Sequence, residues 1–194
     1  QGITTTPVQT LQALSSLTND GTIIKPYIVD KIVDENGNIV MQGKRTEVRK
    51  VVSKETTEKV KELMYKAVYD GVTDAKFFQT DDITMIGKTG TAQIASGNGG
   101  YLTGSYDYIK SFAGIFPYED PQYIIYVSTK QLVGSFRSVA NMVNEIVEEI
   151  AKYKNITEAI EEIDNTKIVL LDNLISTDLE STKEKLEKAN LNPI

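Results

Sequence analysis

A chain of 194 residues, 40% hydrophobic and 25% charged, fits one globular domain or one domain with a small appendage. Its 27 acidic residues outnumber its 21 basic ones, for a net charge of -6, so the basic footprint of a nucleic-acid binder is missing and no nucleic-acid partner is expected. The absence of Cys and His removes disulfides, thiol nucleophiles, zinc sites of the usual ligand types and every Ser-His-Asp mechanism. Any acyl chemistry must use another base, and no cofactor or metal is expected.

In chain order, "TPVQ" reads as a helix start, with Thr6 as N-cap, Pro7 at the first helical position and Gln9 completing a capping box. Val8, Leu11, Leu14 and Leu17 form its apolar face and "NDG" at 19 to 21 ends it. Residues 23 to 33 and 39 to 41 read as two strands joined across "DENGN", where Asn36-Gly37 is a hairpin signal. Ser53 caps a second predicted helix, with Val60, Leu63, Met64, Ala67 and Val68 at helical spacing up to Gly71. Three predicted strands at 83 to 95, 108 to 116 and 122 to 130 form an antiparallel meander. A third helix spans about Val139 to Tyr153 with Val143, Ile146, Val147 and Ile150 on one face. The polar, acidic stretch 154 to 166 reads as a linker, and 167 to 194 as a separate small unit, a strand followed by a helix carrying Leu179, Leu186 and Ala189.

The first meander strand contains "MIGKTGTAQIA", an apolar run interrupted by Lys88-Thr89-Gly90-Thr91. Two readings are open: the solvent face of a surface strand, or a strand lining a pocket that binds an anion and an acyl group. Strand alternation turns the two threonines one way and Lys88 the other, or toward a pocket rim if the strand twists. Gly90 leaves room for close backbone approach.

"KTGTAQ", its glycine-rich turn and "GGYLTGSYDYIKSFAGIFP" resemble the C-terminal half of the transpeptidase domain of class B penicillin-binding proteins, the division-type enzymes of Gram-positive bacteria. "QGITTTPVQTLQALSSLTNDG" resembles the same family's segment upstream, and the likeness runs from about residue 1 to 153. It implies an α/β (α+β) fold, an antiparallel sheet flanked by helices as in penicillin-binding proteins and serine β-lactamases, present as a partial domain. In that family the K-T-G strand edges a five-stranded sheet and walls the catalytic cleft, where a stem peptide can lie as an added strand. A serine in S-x-x-K attacks the penultimate D-alanine carbonyl with its lysine as base, and an S-x-N serine relays the proton. The resemblance gives Lys88 a positive charge near the substrate carboxylate, gives the Thr89 and Thr91 hydroxyls its binding, and makes the Thr91 N–H an oxyanion donor. Gly90 and Gln93 belong to the same substrate-binding strand.

The implied partners are the D-alanyl-D-alanine end of the peptidoglycan stem peptide, β-lactam antibiotics, and division proteins including a glycosyltransferase. A serine β-lactamase, a β-lactam sensor and a non-catalytic cell-wall module remain alternatives. No serine here has lysine three positions on, and "SGN" at 96 to 98 follows the K-T-G strand where the family's S-x-N precedes it. The nucleophile is therefore expected upstream of Gln1. The sequence has no signal peptide and no apolar run long enough to span a bilayer. A membrane anchor is likewise expected upstream, holding the protein at the extracytoplasmic face of the bacterial membrane. The segment 167 to 194 resembles the first strand and helix of a PASTA repeat, with Leu171 and Ser176 where proline and glycine are usual.

Overall fold

The computed structural model describes residues 2–154 and 156, all within the first of the chain's two units, Gln1–Glu158. The expected unit at 167–194, and all of the expected linker except residues 154 and 156, lie outside the described residues. A three-stranded antiparallel sheet, β5 (Ile86–Gln93), β6 (Tyr108–Phe116) and β7 (Tyr123–Lys130), is the meander expected from sequence. Helices α1 (Pro7–Leu14), α2 (Lys54–Tyr69) and α3 (Phe136–Lys154) pack around it. No described helix is long and apolar enough to cross a membrane.

The capping box of α1 forms as the sequence predicts: Thr6 Oγ1 accepts from the Gln9 N–H at 3.2 Å and Gln9 Oε1 accepts from the Thr6 N–H at 2.9 Å. The helix stops at Leu14, earlier than "NDG" suggested, because the Ser15 and Ser16 hydroxyls donate back to the Gln12 and Ala13 carbonyls. Val8 is exposed, while Leu17, beyond the helix, packs with Met64, Ile86 and Ile115.

The single strand expected at 23 to 33 is two. Pro26 lacks an N–H and restricts Lys25, so the chain breaks into β1 (Thr22–Ile24) and β2 (Lys31–Val33). β1 pairs with β4 (Glu47–Lys50), a polar strand that the sequence reading did not contain, and β2 pairs with β3 (Ile39–Gln42). The predicted turn is present. Gly37 has φ +83°, and the Asp34 carboxylate accepts from the backbone N–H groups of Asn36 and Asn38 at 2.9 and 2.8 Å. These bonds, and above all the one from the Asn38 side-chain amide, hold the Asp34 carboxyl below its ordinary pKa.

Ser53 caps α2 as expected, its hydroxyl accepting from the Thr56 N–H at 3.2 Å. The buried face is Thr57, Lys61, Met64 and Val68, whereas Leu63 is exposed. Lys61 buries its stem and turns its ammonium back to Glu58 at 2.9 Å. On α3 the buried face starts earlier than predicted, at Phe136, and runs through Val139, Ala140, Val143, Val147 and Ala151. Ile146 stands in solvent, and Ile150 is half-buried against the core. The small alanines at 140 and 151 are buried on this face, in the same core cluster as Phe112 and Phe116 of the sheet, a choice that hydrophobicity alone does not reveal.

A 3-10 helix at Asp74–Phe78, absent from the sequence reading, joins α2 to the sheet. Gln79 Nε2 donates to the Val68 carbonyl at 2.9 Å, and Asn144 Nδ2 donates to the carbonyls of Phe77 and Gln79 at 3.0 and 2.8 Å. Both helices thus hold Phe78 in place, and its ring stacks on Phe112 with centroids 3.6 Å apart and planes 7° from parallel. The Phe112 ring lies over Gly87 and Gly114. A Cβ on Gly87 would run into that ring, and one on Gly114 would lie 2.7 Å from it.

Gly87→Ala should therefore destabilise the domain by about 1–3 kcal/mol through overpacking, read as a lower urea midpoint at unchanged m value. Gly97→Ala, where a Cβ meets nothing within 4 Å, is the control and should leave the midpoint nearly unchanged. Equal midpoints for the two variants would contradict this packing.

Candidate functional site

β5 is an edge strand of the described sheet, antiparallel to β6 in an unbroken register from Ile86↔Ile115 to Gln93↔Tyr108. The hydrogen-bonding sense of each residue follows from the end of this ladder. The Ile94 N–H donates to the Asp107 carbonyl at 3.0 Å, continuing the same register. In an antiparallel ladder bonded and non-bonded pairs alternate, so residues 86, 88, 90 and 92 bond β6. Residues 87, 89, 91 and 93 turn their N–H and C=O outward. The β7 side agrees, because the Gln131 N–H donates to the Tyr108 carbonyl at 3.0 Å, which assigns the even residues of β6 to β7. The N–H of Thr91, the expected oxyanion donor, thus points away from the sheet at its open edge.

Side chains alternate across the strand. Lys88, Gly90 and Ala92 share one face with Ala113, Ser111 and Ile109 of β6; Thr89 and Thr91 share the other with Phe112 and Lys110. Lys88 is exposed and donates from Nζ to the Thr89 carbonyl at 2.9 Å, one of the outward carbonyls, so its ammonium reaches round to the open edge. It forms no ion pair with a described residue. On the opposite face, Thr89 is half-buried beside the core and Thr91 is exposed. Lys110, across from Thr91, faces Asp74 at 3.8 Å and stacks its ammonium over Phe136 at 5.8 Å from the ring centroid. A ligand along this edge would meet Lys88 from one side and the threonine hydroxyls from the other.

Gln93 is half-buried at the end of the strand, its amide 3.5 Å from the Leu102 carbonyl. Beyond it the chain forms a small hairpin: the Leu102 N–H donates to the Ile94 carbonyl at 2.8 Å, and Ala95 bridges Tyr101. The string Ser96–Asn98 is its tip, where the Ser96 hydroxyl accepts from the Asn98 N–H at 3.3 Å. Eight residues of extended chain separate Ser96 from Lys88, roughly 26 Å, so this string stays a turn. Asp107 anchors the loop, accepting from the Gly104 N–H and from Gln131 Nε2, both at 2.8 Å. The described residues hold no cluster of metal-ligating side chains.

Solved structures confirm the architecture. Penicillin-binding protein 2X from Streptococcus thermophilus superposes with a TM-score of 0.69 at 23% identity, covering 98% of this chain and 30% of that one. Penicillin-binding protein 3 from Mycobacterium tuberculosis, complexed with aztreonam, gives 0.68 at 24%, covering 81% and 37%. A peptidoglycan D,D-transpeptidase FtsI homolog from Mesostigma viride is 35% identical over 82% of this chain. Stage V sporulation protein D from Bacillus subtilis is 28% identical over 93%. The chain spans 29% of the length of each of these two relatives. Residues 1–150 match the penicillin binding protein transpeptidase domain, and the chain belongs to that family.

Proposed function

We propose that this chain forms the carboxylate-binding and oxyanion-binding wall of a serine-type peptidoglycan D,D-transpeptidase, which cross-links stem peptides through an acyl-enzyme and is acylated by β-lactams. The observation that carries the reading is an exposed lysine with no acidic partner among the described residues, beside the outward N–H of Thr91 on an open strand edge. The ammonium attracts the terminal carboxylate of a D-alanyl-D-alanine peptide lying along β5. The Thr89 and Thr91 hydroxyls flank it from the other face, and Gly90 and Gln93 complete the strand it lies against. The Thr91 N–H is aimed where negative charge develops as the penultimate carbonyl becomes tetrahedral.

The attacking serine lies outside these residues. With it go the other expectations of the family resemblance: a Gram-positive, division-type enzyme working with a glycosyltransferase, anchored upstream to the extracytoplasmic face of the membrane. The domain division at 153 and 166 and the PASTA-like segment at 167 to 194 belong to the same proposal. A non-catalytic module is the second reading, favoured by the absence of S-x-x-K from this sequence.

Titration of the 15N-labelled chain with diacetyl-L-lysyl-D-alanyl-D-alanine should shift the amide resonances of residues 88 to 91. Lys88→Ala should weaken binding about tenfold or more, the scale of a hydrogen bond to a charged group. Absence of shifts, or an unchanged affinity in the variant, would refute the assignment of Lys88.

Incubation with benzylpenicillin followed by mass spectrometry should leave the mass of the 194-residue chain unchanged. A stable adduct on any of its serines would show that the nucleophile is one of them.

A further inference from the structure

Gly90 is paired with Ser111, and a Cβ built on Gly90 would lie 2.8 Å from Ser111 Oγ. The hydroxyl therefore leans over the space that any other residue at 90 would fill. Ser111 is half-buried and its hydroxyl makes no hydrogen bond to a described residue. It lies on the face that carries Lys88, since side chains of a cross-strand pair project to the same side and Lys88 is two residues from Gly90. The two threonine hydroxyls project from the opposite face. Of the hydroxyls on the face from which the Lys88 side chain leaves, Ser128 lies two strands in from the edge, opposite Ser111, and Ser111 lies one strand in, directly over the glycine.

Resting on the reading of Lys88 above, we infer that Ser111 is a substrate-binding residue, donating its hydroxyl proton to the ligand carboxylate that Lys88 attracts, with Gly90 as the opening through which the carboxylate reaches it. Glycine at 90 then does more than admit a backbone close to the strand. Alanine there would both crowd the ligand and place a methyl group against the Ser111 hydroxyl. A carboxylate held this way has a cation on its edge side and a hydroxyl on its sheet side. Ligands ending in a neutral carboxamide lose the charge that makes the serine bond strong.

The test is the same titration, run on Ser111→Ala, Gly90→Ala, the double variant and Lys88→Ala, with the D-alanyl-D-alanine peptide and its C-terminal carboxamide. Amide spectra of each variant report whether the fold is retained. Ser111→Ala should weaken the carboxylate peptide about tenfold and leave carboxamide affinity unchanged. In the Gly90→Ala background, removing the hydroxyl should cost nothing further, because the methyl group already blocks it. Three outcomes overturn the inference: Ser111→Ala without effect on the carboxylate peptide, an equal loss for both peptides, or additive losses in the double variant. If Lys88→Ala still weakens binding in those cases, the proposed function stands and only the role of Ser111 falls. If Lys88→Ala changes nothing, or wild type gives no shifts, the proposed function falls and takes the inference with it.

Discussion

The ring of Phe112 can lie flat against the neighbouring strand only because residues 87 and 114 carry no side chains, and the alignment of β5 depends on that contact. A shift of one residue between β5 and β6 would move every side chain of β5 to the opposite face relative to β6. It would put Lys88 under the ring, where its charge would be buried without a partner. With the ring seated, Gly87 falls opposite Gly114, Lys88 opposite Ala113 and Gly90 opposite Ser111. The lysine then stands on the open face and the Thr91 N–H turns outward. The geometry of the edge is a consequence of core packing several residues away from it.

The packing is braced from both sides. Phe78 is fixed over Phe112 by a 3-10 helix whose following residue, Gln79, is tied to α2 through the Val68 carbonyl and to α3 through Asn144. Phe136, at the start of α3, adds an edge-on ring 5.5 Å from Phe78. The two helices therefore do more than cover the sheet: they hold the aromatic stack that sets the register of the strand carrying the lysine. Catalytic geometry is held within fractions of an ångström by this kind of supporting layer. The aromatic stack lies on the face opposite Lys88, while at the other end of the Lys88 face Ile86 and Ile115 are buried against Met64 of α2, so the strand is held from both faces.

Much of this was legible in the sequence because it is local. The meander follows from three alternating runs separated by glycine-rich and proline-bounded turns, and the starts of α1 and α2 follow from capping residues whose bonds form within three positions. What escaped is what depends on distant partners. Lys61 counts as polar in any periodicity, yet its stem packs inward; Ile146 counts as apolar, yet the buried face of α3 runs through Val143 and Val147 instead. The strand Glu47–Lys50 has no apolar alternation and exists because β1 offers it a partner. At the site, Lys88 to Thr91 were legible as a motif. Ser111 was not, because its relevance arises only when the register brings it beside Gly90.

The central claim is that β5 presents an open edge with alternate amides turned outward, in the register fixed by Phe112. Residue-resolved amide hydrogen exchange tests this most directly, since it reads the ladder itself. The amides of Lys88, Gly90 and Ala92, bonded to β6, should exchange slowly, and those of Thr89 and Thr91 should exchange at rates near those of unprotected chain. The opposite alternation, or uniform protection along the strand, would contradict the account.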